Sequence, residues 1–254
     1  MAKPPPRQLT VLRAQQLTPH MRRLTLGGAA LENFPEDQAS AYVKLFFTAK
    51  GEGWDGDDAI APPTLRTYTV RRHDAGAREI DIDFVVHENA GPASAWALRA
   101  VPGNPIALAG PGGKKLVDAH ADWLLIVGDM TAIPAISVSL AGLPTAARGY
   151  LVLEITSELD RPQLRVPAGI QVAWVVNPDP ARSNTLLSQA VRELPWLDGR
   201  PSIWVAGEFT AIRNLSNYLK AERGVPREQM YISSYWKMGV TEEHHKVAKR
   251  AEAE

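Results

Sequence analysis

The sequence predicts an α+β protein of two domains, an antiparallel β-barrel followed by an α/β domain built on a parallel sheet. Up to about residue 119, short strand-like segments alternate with Gly/Pro turns around a single helix start, which is typical of a small antiparallel barrel. From Trp123 onward, strand-like and helix-like segments alternate, which indicates parallel strands joined by crossover helices. Because 254 residues suffice for two cores, we expect domains at residues 1–119 and 120–254.

The predicted barrel strands are apolar or alternating segments bounded by turn residues. They cover residues 9–12, 21–26, 41–47, 65–72, 80–87 and 106–109. The first two are predicted to form a hairpin, because Thr18-Pro19-His20 separates them. We expect a short helix or turn around residues 30–34, and a loop over the Gly-, Asp- and Pro-rich residues 49–63.

The second domain is predicted to contain five strands and three helices. The strands are expected at residues 123–127, 149–155, 171–176, 202–206 and 230–233, and the helices at residues 132–140, 183–193 and 210–223. Thr131 is predicted to cap the first helix, with Pro134 in its first turn. A helix start after a parallel strand is where such sheets bind nucleotides, but the G-x-G-x-x-G fingerprint is absent here.

The most informative motif is Arg66-Thr-Tyr-Thr-Val-Arg71, in the fourth predicted strand. Strand alternation places Arg66 and Tyr68 on one face and Thr69 and Arg71 on the other, and a slight twist could bring Tyr68 and Thr69 to one ligand. An aromatic ring can lie against a flavin, a hydroxyl can bond its polar edge, and a guanidinium can bind phosphate. The alternative is an edge strand with a solvated basic face, and the motif alone does not decide between the two.

Two further positions in the predicted barrel are candidates for binding. Lys44 interrupts an apolar strand, so it must project outward or into a cavity. Gly91-Pro92 begins a predicted helix, and the amides of residues 93–95 would then be available to an anion. By itself this second pattern also fits an ordinary helix start.

Composition excludes several classes of function. The 28 basic and 28 acidic residues cancel, which argues against binding to nucleic acid or to an anionic membrane. The sequence has no apolar run of about 18 residues and no signal-peptide pattern, so we expect a cytoplasmic protein. The absence of Cys excludes a thiol nucleophile, a disulfide framework and a Cys-ligated metal site. Any redox chemistry must therefore come from a bound cofactor.

Taken together, the motifs resemble those of the ferredoxin-NADP reductase superfamily and, within it, the siderophore-interacting proteins, a family of ferric-siderophore reductases. The motifs that carry the resemblance are Tyr42-Val-Lys-Leu-Phe-Phe47, Arg66-Thr-Tyr-Thr-Val-Arg71, Asp83-Phe-Val-Val-His87, Gly91-Pro-Ala-Ser-Ala-Trp96, Gly110-Pro-Gly-Gly113, Gly128-Asp-Met-Thr-Ala-Ile-Pro134, Ala206-Gly-Glu208 and Tyr235-Trp-Lys237. Several motifs in the family's order, spread over nearly the whole chain, make the resemblance specific. It implies FAD bound to the barrel.

Within that resemblance, Arg66 meets the FAD pyrophosphate, Tyr68 the isoalloxazine face, and Thr69 the region of N5 and the ribityl chain. The other implied cofactor-binding residues are Arg71, His87, Gly91, Ala93 and Ser94 in the first domain and Asp129, Thr131 and Ala132 in the second. Electron transfer requires proximity and not acid–base groups, so no catalytic acid or base is expected.

The implied substrate is a ferric siderophore, held in a shallow basic pocket beside the flavin. Lys44 and Lys237 match the family's substrate-binding positions, and Lys114, Lys115 and Arg250 are further candidates. Long cations can hold anionic iron complexes of varied shape. Two alternatives are a general NAD(P)H-flavin or ferredoxin-type reductase, and a siderophore-binding module without turnover.

The implied electron donor is NADH, NADPH or reduced ferredoxin. Residues 156–161 carry two acids and one arginine where NADPH enzymes usually gather cations, so NADH or ferredoxin is at least as well supported as NADPH. Ala206-Gly-Glu208 lacks the cysteine that ferredoxin reductases place near the nicotinamide, as do other siderophore-interacting proteins. The tail after Tyr235-Trp236, residues 237–245, is less basic than in many relatives. We expect the His244-His245 pair of the final segment, residues 241–254, to lie on a solvated helix face without a metal.

Overall fold

The chain forms two structural units, one up to Lys115 and one from Leu116. The computed structural model describes residues 5–56, 62–87, 91–181, 183–240, 242, 244 and 245. Residues 57–61 of the predicted loop, and the candidate Arg250, lie outside the described residues. The domain boundary predicted between residues 119 and 120 stays a prediction.

The first unit is a closed antiparallel barrel, as predicted. Its strands are β1 (Arg7–Thr18), β2 (Met21–Gly27), β3 (Tyr42–Phe47), β4 (Thr64–Asp74), β5 (Glu79–Val85) and β6 (Pro105–Ala109), in the order β1-β2-β5-β4-β3-β6 around the barrel. A 3-10 turn covers Ala29–Leu31, and helix α1 covers Pro92–Arg99. The predicted hairpin of β1 and β2 is confirmed, although β1 extends well beyond residues 9–12, which suggested it.

The barrel core is filled by alternate residues of each strand. In β3, Val43, Leu45 and Phe47 are buried and Lys44 is half-buried between them. Trp96 of α1 packs edge-on against Phe47, with 5.6 Å between ring centres. Each such apolar side chain contributes about 1.5–3 kcal/mol through burial. The helix therefore completes the core that the strands begin.

Ion pairs cover part of the outer barrel wall. Arg23 Nε donates to Asp83 Oδ1 over 2.6 Å, and Arg72 Nε donates to Asp81 Oδ2 over 2.7 Å. Thr25 Oγ1 adds a 2.8 Å hydrogen bond to Asp81. The two aspartates are buried, and charge-assisted bonds from neighbouring strands offset the cost of removing them from water.

The second unit is a parallel sheet with helices, also as predicted. Its strands are β7 (Trp123–Gly128), β8 (Arg148–Ile155), β9 (Gly169–Val176), β10 (Pro201–Glu208) and β11 (Met230–Trp236), in the order β11-β10-β7-β8-β9. The helices are α2 (Ile133–Ala141), α3 (Leu186–Glu193) and α4 (Phe209–Asn217), with 3-10 turns at Glu158–Asp160 and Arg227–Gln229. Within the described residues, no helix is long and apolar enough to cross a bilayer.

The last helix ends differently from the prediction of one helix over residues 210–223. After Asn217 the chain widens into a π-helical turn, Tyr218–Glu222, closed by a 3.1 Å bond from Arg223 N to Tyr218 O. Tyr218 and Leu219 are buried against the sheet. The wider turn keeps both side chains in the core, a tertiary effect that helical periodicity does not reveal.

Candidate functional site

The Arg66 motif lies in the middle of β4, directly beside β3. Tyr68 is paired with Val43, and Thr69 with Tyr42. Paired residues of antiparallel strands share a face, so Tyr68 points to the side of buried Val43 while Thr69 shares the outer side with exposed Tyr42. The predicted alternation of faces is therefore present.

Tyr68 is half-buried at the edge of the barrel core. Its ring centre lies 4.4 Å from that of Phe84, with the planes tilted by 42°. The core thus supports the ring from one side while part of its surface stays accessible. A supported, partly accessible aromatic ring can receive a flat ligand.

Arg66 is also half-buried, and its guanidinium is held by the strand itself. Nη1 donates to Leu65 O over 2.8 Å. This contact limits the orientations of a side chain that is otherwise long and flexible. A guanidinium fixed in this way suits recognition of a phosphate group.

Arg71 lies at an irregularity of β4, between Val70 and Arg72, rather than in the regular part of the ladder. Burial lowers the pKa of Arg71 below its usual value, and the nearby positive charge of Arg23 lowers it further. The structure therefore places Arg71 beside the ion pairs of the outer barrel wall.

Helix α1 begins as predicted, with Gly91 at its N-cap and Pro92 in the first turn. The prediction that three amides are available to an anion is wrong for Ala95, because its N–H makes a 3.0 Å helical bond to Gly91 O. Ser94 Oγ donates to Val85 O over 2.9 Å. This bond ties the buried helix start to the end of β5, two residues before exposed His87.

The candidate lysines of the first unit differ in their surroundings. Lys44 is half-buried on the outer side of β3 and is paired with Thr67 of β4 and Ala109 of β6. Lys114 donates to Asp37 Oδ2 over 2.8 Å. Since Asp37 already neutralises Lys114, Lys44 is the better placed of the two for an anionic ligand.

Gly112 lies against Tyr42, next to the outer face that carries Lys44 and Thr69. Gly112 N donates to Tyr42 O over 2.8 Å, and a Cβ on Gly112 would lie 2.0 Å from Tyr42 Cζ. The Tyr42 ring therefore covers the Gly110–Gly113 segment, a contact that only glycine permits without moving the ring.

In the second unit, a side chain able to form hydrogen bonds lies at the carboxyl end of each parallel strand. These residues are Trp236 in β11, Glu208 in β10, Asp129 after β7, Glu154 in β8 and Asn177 after β9. The carboxyl edge of a parallel sheet is the usual place for a nucleotide.

The Asp129 carboxylate accepts three hydrogen bonds at this edge. Its Oδ1 accepts from Thr131 N at 2.9 Å and Thr131 Oγ1 at 2.5 Å, and its Oδ2 accepts from Trp236 Nε1 at 2.8 Å. Burial raises the pKa of Asp129 above its usual range, and these hydrogen bonds oppose that effect. The prediction that Thr131 caps α2 is wrong: Ala132 occupies the N-cap, and the Thr131 hydroxyl donates to the nearby Asp129 carboxylate.

The Glu208 carboxylate accepts hydrogen bonds from three backbone amides. Its Oε2 accepts from Thr210 N at 2.6 Å and from Ala211 N at 3.0 Å, which caps α4, while Oε1 accepts from Met238 N at 3.2 Å. Sequence reasoning missed this cap, because Ser, Thr, Asp and Asn are the preferred N-cap residues. The only signal was an acid at the junction of a strand and a helix.

Gly207 makes room for the Asp129 carboxylate. Its φ is +155°, and a Cβ there would lie 2.7 Å from Asp129 Oδ2. The cysteine-free Ala206-Gly-Glu208 segment thus allows β10 to approach a buried acid closely.

Lys237 and His245 lie near the start of α4. Lys237 Nζ is 4.4 Å from the centre of the Phe209 ring. The prediction that His244-His245 lies on a solvated face is wrong for His245, which is buried, with Nε2 2.9 Å from Ser234 Oγ and the ring edge-on to Phe209. A polar partner on β11 and an aromatic neighbour make that burial possible, whereas His244 is exposed.

The predicted donor segment after β8 carries its own ion pair. Arg161 forms a salt bridge with Glu158 and lies over the Trp174 ring at 5.6 Å, and Asp160 is buried. The arginine is therefore already matched by an acid of the same segment.

Glu154→Gln should remove a fall in stability between about pH 4.5 and pH 7. Burial, together with the negative charges of Asp129 and Glu208, raises the pKa of Glu154 from 4.5 to about 7. Between these values the unfolded chain has lost the proton that the folded protein keeps, so the free energy of unfolding falls as pH rises. Glutamine does not titrate, so this part of the fall disappears.

Urea unfolding at several pH values measures the difference between wild type and variant. Exposed Glu193→Gln on α3 is the control and should follow the wild-type curve. Parallel curves for wild type and Glu154→Gln would contradict the raised pKa.

Comparison with known proteins adds independent findings. The family model described as "Siderophore-interacting FAD-binding domain" matches residues 10–115, and "Siderophore-interacting protein" matches residues 121–239. The ferric vibriobactin reductase ViuB of Vibrio cholerae is 36% identical over 249 residues, covering 94% of this chain and 92% of the relative. The NADPH-dependent ferric-chelate reductase of Escherichia coli is 30% identical over 243 residues, covering 91% of this chain and 92% of the relative.

Solved structures agree in fold. The siderophore-interacting protein SipS from Aeromonas hydrophila has a TM-score of 0.83 and 31% identity, with 98% of both chains covered. A siderophore utilization protein from T. fusca has a TM-score of 0.82 and 30% identity, covering 93% of this chain and 94% of that one.

Proposed function

Because this chain belongs to the siderophore-interacting protein family, we propose that it is an FAD-dependent oxidoreductase that reduces the iron of ferric siderophores. The observation that carries the proposal is the 36% identity to a ferric vibriobactin reductase over nearly the full length of both chains. Siderophores bind Fe(II) far more weakly than Fe(III), so a one-electron reduction releases the metal for cellular use.

The residues of β4 and α1 fit FAD. In this proposal the fixed guanidinium of Arg66 binds the pyrophosphate, the supported ring of Tyr68 lies against the isoalloxazine, and the Thr69 hydroxyl bonds the flavin's polar edge. The remaining contacts in the barrel are assigned to Arg71, His87, Gly91, Ala93 and Ser94. Bound FAD would supply the electron for Fe(III), while the protein binds and orients the FAD.

In the second unit, Thr131 and Ala132 are assigned to the cofactor together with Asp129. The Asp129 carboxylate already accepts three hydrogen bonds from Thr131 and Trp236, so its part is to hold the start of α2 in place. We assign no acid–base catalyst, because electron transfer to iron requires proximity and not proton transfer.

The substrate contacts are assigned to Lys44 in the first unit and Lys237 in the second. Ferric siderophores are often anionic and vary in shape, so a few long cations can bind many of them without a closely fitting pocket. Lys44 is half-buried on the outer wall, in the strand next to the flavin motif. Lys114 is a secondary candidate, because Asp37 already pairs with it.

The electron donor is NADPH, NADH or reduced ferredoxin. NADPH is supported by the NADPH-dependent relative in Escherichia coli. NADH and ferredoxin are supported by the salt bridge between Glu158 and Arg161. Arg161 is the one arginine of the segment expected to meet the 2′-phosphate of NADPH, and its charge is already paired with an acid. A cytoplasmic location, where these donors are found, completes the proposal.

An anaerobic titration of the purified protein tests the function. FAD-loaded protein should lose its flavin absorbance on addition of at least one donor and regain it on addition of a ferric siderophore, with Fe(II) trapped by a chelator. Colourless protein that refuses added FAD would favour a siderophore-binding module. Rapid flavin reduction without iron release would favour a general flavin or ferredoxin reductase.

Lys44→Ala should weaken binding of the ferric siderophore by about tenfold and leave FAD binding unchanged, because one contact between a lysine ammonium group and the anionic complex is lost. The measurement is the KM for the ferric siderophore at saturating donor. Lys50→Ala, a lysine in the turn after β3, is the matched control and should have no effect. An unchanged KM in Lys44→Ala would remove Lys44 from the substrate site.

A further inference from the structure

The residues that follow β11 are tied to two buried carboxylates at the edge of the sheet. Trp236 Nε1 donates to Asp129 Oδ2 over 2.8 Å, and Met238 N donates to Glu208 Oε1 over 3.2 Å. Lys237 lies between these two bonds, and its own Nζ lies 4.4 Å from the centre of the Phe209 ring. Both sequence neighbours of Lys237 are thus hydrogen-bonded to buried carboxylates, and its ammonium group contacts an aromatic ring.

The two carboxylates are themselves held firmly. Asp129 also accepts from Thr131, and Glu208 accepts from the first-turn amides of α4. They lie at the ends of neighbouring parallel strands, since Ala206 of β10 is paired with Gly128 of β7. The residues on either side of Lys237 are therefore held by carboxylates that are themselves fixed at the edge of the sheet.

Such fixing has a direct consequence for binding. A lysine on a mobile segment loses much side-chain freedom when it meets a ligand, and a lysine already held in place loses less. Phe209 contacts the ammonium group through its ring face, and a ring, unlike a carboxylate, brings no net negative charge that would compete with an anionic ligand. If Asp129 and Glu208 served only to stabilise the fold, the two carboxylates and the α4 cap would be enough. An ammonium group at position 237 would not be needed.

We propose that Asp129, Glu208 and Trp236 are positioning residues for Lys237, which hold its ammonium group ready for the anionic part of a ferric siderophore. This inference rests on the proposed function, because it takes Lys237 as a substrate contact. It gives the buried carboxylates of the sheet edge a role in substrate affinity.

A double-mutant cycle of Trp236→Phe and Lys237→Ala tests the inference. Phenylalanine keeps an aromatic ring and removes the indole N–H that Asp129 binds. The probe is the gallium(III) complex of a tris-catecholate siderophore, which has the charge of the ferric complex and cannot be reduced, so calorimetry reports binding without turnover. We expect each single variant to weaken binding by roughly tenfold, and the double variant to be no weaker than Lys237→Ala alone.

Glu208→Gln is the second variant. The glutamine side chain still offers one oxygen to the α4 cap, but it places an NH2 group opposite Met238 N, so the bond to Met238 is lost. It should also weaken binding only when Lys237 is present. Trp174→Phe, a tryptophan of β9 in the same unit, is the matched control and should bind like wild type. In turnover assays, KM should rise in the Trp236 and Glu208 variants while kcat at saturation is kept.

The outcomes separate this inference from the proposed function. Losses that add in the double variant would show that Trp236 does not act through Lys237, and would overturn the inference while leaving the reductase intact. No loss in Lys237→Ala would overturn it as well, by removing Lys237 from the substrate site. A wild-type protein that binds FAD but neither the gallium complex nor its ferric counterpart would overturn the proposed function itself.

Discussion

Replacing Arg66 by alanine should empty the barrel of FAD and leave the barrel folded. A hydrogen bond to a charged group contributes about 1.5–3 kcal/mol, so the Kd for FAD should rise by roughly 10- to 100-fold. The backbone of Arg66 is paired with that of Leu45, and this pairing does not depend on the side chain. Titration of the apoprotein with FAD, followed by flavin fluorescence, measures the change.

Arg13→Ala is the matched control for Arg66→Ala. Arg13 lies in β1 of the same barrel, on the exposed side, and donates to Glu79 Oε1 over 3.0 Å. An exposed ion pair contributes about 1 kcal/mol or less to stability, so this variant should keep its FAD. Equal losses of FAD in both variants would mean that overall charge, and not the Arg66 contact, binds the phosphate.

Gly207→Ala should destabilise the second unit by about 3 kcal/mol or more, through backbone strain and overpacking together. The backbone φ of +155° disfavours any side chain, and the new Cβ would lie 2.7 Å from Asp129 Oδ2. Asp129 cannot move away without giving up its bonds to Thr131 and Trp236. Urea unfolding followed by tryptophan fluorescence measures the loss.

Gly224→Ala separates the two causes. Gly224 has a φ of +63°, but a Cβ there would meet no atom within 4 Å. The free energy of unfolding of that variant should fall only by the cost of a left-handed backbone, about 1–2 kcal/mol. Similar losses at the two positions would show that the contact with Asp129 contributes nothing.

Much of the fold could be predicted because its signals are local. The strand-forming residues 65–72 and 123–127 were recognised by alternation or by a continuous apolar run, and both lie in strands of the structure. The change from turn-linked strands to alternating strands and helices separated the two kinds of sheet. The π-helical turn at Tyr218 was not predicted, since it depends on packing against strands that are distant in the sequence.

The candidate site was predicted less completely, because its contacts join distant positions. Asp129 and Trp236 are 107 positions apart, and no pattern within either motif reveals the bond between them. The same holds for His245, whose burial depends on Ser234 and Phe209. The assignments to FAD and siderophore rest on the order of several motifs, and the variants of Arg66, Lys44 and Lys237 test the roles of individual residues.

The closed barrel also constrains how the protein is made. Its last seam joins β1 to β6, with Arg7 opposite Leu108, so the first strand must wait until about a hundred further residues have left the ribosome, roughly 5 to 20 seconds at ordinary translation rates. During that interval the neighbouring pairs β1–β2, β3–β4 and β4–β5 can form, but the outer edge of β1 stays open to foreign strands. Nascent chains are therefore most exposed to aggregation before β6 emerges, and slowing of translation ahead of Pro105 would lengthen that exposure.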